Sequence, residues 1–124
     1  MSLARVTLWA APIAWMTFIF FLSAQPDPAD LFPVPLNVDD KVIHLLLYAA
    51  LGLLLWRAAR GGGVRRLERR PGGWALAIGS IYGLSDEFHQ AFVPQRSADL
   101  ADLITDGIGL ALGIAIVWVW RTLR

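Results

Sequence analysis

Acids, histidines and a lysine stand inside runs that are otherwise apolar, and their spacing is helical. Lys41, His44 and Tyr48 fall at i, i+3 and i+7, which on a helix is one face. Tyr82, Asp86, His89 and Gln90 share a face further on, with Glu87 beside it. Asp99, Asp102 and Asp106 repeat the i, i+3, i+7 pattern. Carboxylates and imidazoles gathered in one place can hold a divalent cation, move protons, or accept hydrogen bonds from a polar ligand. Asp86, His89, Asp99 and Asp102 are the candidate metal ligands, suited as oxygen and nitrogen donors to Mg²⁺, Mn²⁺ or Zn²⁺. Glu87 and His44 are the candidate catalytic acid/base groups. The candidate binding set is Lys41, His44, Tyr48, Asp86, Glu87, Gln90, Arg96, Asp102 and Asp106, with Lys41 and Arg96 placed to meet phosphate or carboxylate. The bland alternative is a hydrogen-bonded network that only fixes how helices pack.

Charge bears on that choice. Asp86, Glu87, Asp99, Asp102 and Asp106 stand against Lys41 and Arg96, so the cluster carries −3 with both histidines neutral. A partly desolvated site at that charge is costly, and three remedies exist: shared protons, cationic histidines, or a bound divalent cation. Ionisable residues at membrane depth are functional by default. The chain has no cysteine, which removes disulfides, thiolate ligands and cysteine nucleophiles. Ser85 and Ser97 flank the cluster, Ser97 as an ordinary helix N-cap. Gly61-Gly62-Gly63 lacks the strand and helix of a phosphate loop.

The elements that position these residues follow from hydropathy. The 124 residues are 56% apolar and read as a single domain over 1–124, and a net charge of +1 gives no field for nucleic acid. Apolar runs at about 6–24, 41–57, 73–92 and 99–120 predict four transmembrane helices. A cleaved signal peptide ending near Ser23-Ala24-Gln25 is the competing reading of the first. Prolines and aspartates between Gln25 and Asp40 break the chain, Asn37 or Asp39 can cap the second helix, and Pro94 ends the third. Arg5, Arg57, Arg60, Arg65, Arg66, Arg69, Arg70, Arg121 and Arg124 make nine of the eleven basic residues, and a cytoplasmic N-terminus puts all nine inside. The predicted fold is thus an all-α integral membrane four-helix bundle with both termini cytoplasmic. Trp9, Trp56, Trp74 and Trp120 sit near run ends, where rings favour the headgroup layer. Measured from the cytoplasmic anchors, His44, Asp86 and Asp106 lie roughly 20, 18 and 22 Å deep, so the three stripes meet toward the outer face. Gly79 and Gly83, Gly109 and Gly113, and Gly52 permit close approach.

Three segments carry a resemblance: DKVIHLLLYAALG at Asp40–Gly52, SDEFHQAFVPQRS at Ser85–Ser97 and DLADLITDGIGLALG at Asp99–Gly113. Together they resemble the VanZ-like membrane protein family. Its pattern matches Asp40, Lys41 and His44, then Asp86, Glu87 and Gln90, then Arg96 and Ser97, then Asp102. One difference is Asp106, where the pattern has Asn; it adds a negative charge. The resemblance implies a small helical bundle in the bacterial cytoplasmic membrane and, from named members, a link to low-level resistance to the glycopeptide teicoplanin. The expected function is that of an envelope protein acting through an outer-leaflet polar site, whose partners are the bilayer and a lipid-linked cell-wall precursor or glycopeptide. The alternative is a membrane-embedded metal-dependent enzyme acting on a lipid-linked envelope substrate. Proton-coupled transport is a third reading, which four short helices would support only as an oligomer.

Overall fold

The Ser2 hydroxyl accepts the Arg5 backbone N–H at 3.3 Å and starts the first helix, α1 (Leu3–Ser23), in the computed structural model. Residues 2–25, 40–94 and 99–124 are described. The expected caps Asn37 and Asp39, and the site candidates Arg96 and Ser97, lie outside them.

Helix α2 (Asp40–Gly61) runs a turn further than its apolar stretch predicts. Ala58 and Ala59 are fully buried, which carries the helix past Arg57, and Arg60 rides on the last turn. It stops at the glycine triplet, where Gly63 takes a φ of 86°, a left-handed conformation. The arginine-rich connection between the second and third apolar runs holds one helical turn, α3 (Arg65–Glu68). Pro71 then opens α4 (Pro71–Gln90), its ring pre-set for a first helical position. Asp99 accepts the Ala101 N–H at 2.9 Å and caps α5 (Leu100–Leu123), the role expected of Ser97.

Every regular element among the described residues is a helix. Three of them, α1, Lys41–Gly61 of α2 and α5, are long and apolar enough to cross a membrane. Helix α4 is of similar length but is not among the three, because its last turns hold Ser85, Asp86, Glu87, His89 and Gln90.

Helix α2 is the hub, packing most extensively on α5 and also on α4 and α1. The α2–α5 seam is backbone on backbone. A Cβ on Gly109 would sit 2.6 Å from the Leu45 carbonyl oxygen, one on Gly52 2.5 Å from that of Leu110, and one on Gly113 would strike the Ala49 carbonyl. Helix α1 is pinned by two indole N–H donors, Trp15 to Leu47 O at 2.8 Å and Trp9 to Gly62 O at 3.1 Å. Tyr82 adds its hydroxyl to Met16 O at 2.5 Å. Outward faces stay apolar, with Ile81 and Phe88 each 70% exposed, as acyl chains require of a membrane protein. Trp56 is buried, with the Arg121 guanidinium 5.4 Å over its ring.

Candidate functional site

The polar stripe of α2 sets the levels of the site. Lys41, His44 and Tyr48 occupy successive turns, and each meets a carboxylate on another helix. At the rim, Lys41 Nζ donates to Asp102 Oδ1 at 3.1 Å and to Asp99 Oδ2 at 3.5 Å. One turn deeper, His44 Nδ1 lies 2.8 Å from Asp106 Oδ1, with both side chains almost wholly buried. Deepest, the Tyr48 hydroxyl donates to Asp86 Oδ2 at 3.2 Å. Exposure falls along this ladder, from 47% for the Lys41 side chain to 5% for His44 and 0% for Tyr48.

Helix α4 closes the side of the ladder. Asp86, Glu87 and Gln90 are all buried, at 3%, 5% and 1% exposure. Glu87 Oε2 accepts the Asp99 backbone N–H at 3.0 Å, which ties the end of α4 to the head of α5. Gly83, one turn before Glu87, leaves room for the ladder: a Cβ there would lie 3.4 Å from Tyr48 Cε1 and 3.6 Å from Asp106 Oδ2.

Several expected site residues do come together: Lys41, His44, Tyr48, Asp86, Glu87, Asp102 and Asp106 are joined or adjacent through the contacts above. The expected metal set does not. Asp86, His89, Asp99 and Asp102 form no ligand group among the described residues. His89 turns away toward α1, its ring stacked 4.4 Å from that of Phe20. Asp99 is committed to its cap and, with Asp102, to Lys41. The group within ligating reach is His44, Glu87 and Asp106, one atom from each lying within 4.8 Å of the others. The face expected over Tyr82, Asp86, His89 and Gln90 is therefore centred on Asp86, Glu87 and Gln90.

Ser23 was absent from the candidates. It is buried at the end of α1, beside Asp86. The only sign of it in the sequence is a hydroxyl closing an apolar run, which reads equally as a cleavage site.

Electrostatics are strained by design of the cluster. Buried oxygens Asp86 Oδ1, Glu87 Oε1 and Asp106 Oδ2, together with Gln90 Nε2, have no hydrogen-bond partner among the described residues. Asp99, above the membrane-spanning part of α5, is the easier case. The Ala101 N–H and the Lys41 ammonium hold its carboxyl below the usual carboxylate range. A cavity of about 470 Å³ is lined by Arg66, Arg69, Arg70 and Trp74 at the other end of α4. Convergence of charge marks the site.

Comparison with known proteins gives a family. The family described as VanZ/LLP1 matches residues 8–121. The chain is also similar to an uncharacterized protein of Schizosaccharomyces pombe, at 30% identity over 106 residues. That match covers 84% of this chain and 60% of the relative's length. No solved structure matches.

Proposed function

The chain belongs to the VanZ/LLP1 family, and from that premise we propose that it is a four-span envelope protein whose polar site binds the head of a lipid-linked substrate at the outer face. The observation that carries the reading is the ladder itself, open at Lys41 and sealed at Tyr48. Its wall is acid-rich, so it accepts hydrogen bonds from hydroxyl and amide groups of a glycosyl headgroup. Lys41 at the rim stands where a phosphate would enter.

Orientation is supported by what gathers at the opposite end. Arg5 packs against Gly63, Trp9 against Gly62 and Arg121 over Trp56, so the head of α1, the α2–α4 connection and the tail of α5 lie together. Nine basic residues cluster in those segments, which makes that end cytoplasmic and the ladder outer. Helix α4 spans as the fourth helix: at 20 residues it covers roughly 30 Å, and its charges face α2 and α5 instead of lipid. In a bacterial cytoplasmic membrane, occupancy of the site by a cell-wall precursor alters what teicoplanin reaches.

A metal-dependent reaction on the same lipid-linked phosphate is the second reading, favoured by Glu87 lying beside the buried His44–Asp106 pair.

Binding of a polyprenyl-linked glycosyl phosphate to the purified protein in nanodiscs tests the first reading. Lys41→Gln and Asp102→Asn should each weaken it about tenfold. Equal affinity for plain phosphatidylglycerol, or variants that bind as the parent does, would refute the proposal.

A further inference from the structure

We infer that His44, Glu87 and Asp106 form a site for one divalent transition-metal ion. Three features carry this. First, an imidazole nitrogen and two carboxylate oxygens from three different helices lie within 4.8 Å of one another. Ligands about 2.1 Å from a metal stand about 3.0 to 4.2 Å apart, so small side-chain movements complete the set. Second, the site holds ligand capacity that protein contacts do not use. Glu87 Oε1 and Asp106 Oδ2 are buried and without a hydrogen-bond partner among the described residues, in side chains at 5% and 1% exposure. Such oxygens are expensive unless a cation or donor meets them. Third, the charge fits. Two carboxylates with a neutral imidazole present a formal −2 in a sealed setting, which a divalent ion cancels.

The donor set selects the ion. One nitrogen and two oxygens, with no cysteine in the chain, suit Zn²⁺ or Mn²⁺ better than the all-oxygen cages of Ca²⁺. Zn²⁺ binds the tighter of the two by the usual order of divalent affinities. Surrounding groups support the ligands. Glu87 Oε2 is fixed by the Asp99 N–H, and His44 and Asp106 already face each other at 2.8 Å, where the metal displaces the proton between them. Lys41 lies one helical turn above His44, toward the rim. This deepens the outer-site reading: the ion would give a phosphate entering past Lys41 a second contact.

The test uses the full chain in detergent, stripped with EDTA and then titrated with Zn²⁺, and with Co²⁺ as a spectroscopic probe. The folded parent should take up one ion per chain, gain thermal stability, and give a Co²⁺ absorption spectrum typical of nitrogen and oxygen ligands. Glu87→Gln and Asp106→Asn should weaken uptake by a factor of about ten to a hundred, while Asp99→Asn, outside the set, should not. Absence of stoichiometric uptake by the folded parent would overturn the inference, as would equal affinity in all three variants. Uptake lost only in Asp99→Asn would do the same. Ligand binding measured in EDTA reports on the outer-site reading separately, so either can fail alone.

Discussion

His44 on α2 and Asp106 on α5 lie 2.8 Å apart, 62 positions distant in sequence and both shielded from solvent. A buried pair of this kind is dangerous to break and tolerant of a neutral isostere. In EDTA, Asp106→Ala should therefore cost about 1–3 kcal/mol, since it removes the buried oxygen that His44 Nδ1 meets at 2.8 Å. Asp106→Asn keeps a carbonyl oxygen for the His44 N–H and should stay within about 1 kcal/mol. Chemical unfolding in mixed micelles reads both, and equal losses would show that His44 does not depend on the oxygen at position 106.

Two glycines on one helix should respond in opposite directions. A Cβ on Gly107 meets nothing within 4 Å, so Gly107→Ala should stabilise α5 by about 0.5–1 kcal/mol. Gly109→Ala puts a methyl 2.6 Å from the Leu45 carbonyl and should lower Tm and the yield of folded protein. Similar behaviour of the two variants would mean the α2–α5 seam is looser than described.

Topology can be read with single cysteines, because the chain has none of its own. Pro94→Cys should react with an impermeant maleimide in intact cells, and Val64→Cys only after permeabilisation. The reverse pattern would invert the orientation.

Acid should release the cap of α5. The Asp99 carboxyl is held below its ordinary value near 3.8, so its stabilising effect is present above that pH and fades as pH falls through the lower folded value. The Tm difference between the parent and Asp99→Asn should thus shrink from pH 5 toward pH 3. A gap that widens instead would assign the cap to another group.

Much of this site is legible in the sequence because helical spacing and the cost of burying charge act together. Three polar stripes at helical spacing had to face inward, and Lys41, His44, Asp86 and Asp102 do meet. The rotation of α4 was not legible. Asp86, Glu87 and His89 spread polar groups over an arc of about 160°, wider than the face α2 and α5 can cover. One flank had to go to α1. Phe20 offers His89 a ring to stack on, so Glu87 took the interior, and the metal-competent set moved with it. Asp106, which reads in the sequence as surplus charge, became the partner of His44 for the same reason. Helix α4, expected from the sequence as a span, is not among the three helices apolar enough to cross a membrane, since its acids lower the apolarity by which a span is recognised.

The backbone-tight seam between α2 and α5 bears on how the protein is made. The two helices are separated in synthesis by all of α4, so α2 enters the membrane with Lys41 and His44 before Asp99, Asp102 and Asp106 exist. During that interval α2 depends on the insertion machinery or on water at the rim. The last helix, for its part, carries two aspartates, Asp102 and Asp106, that lipid alone would reject. Its insertion and its docking are consequently one event, guided by glycines that admit a single register. A chain interrupted before residue 99 would leave Lys41 and His44 without the α5 carboxylates they meet, a state that membrane proteases can recognise and remove.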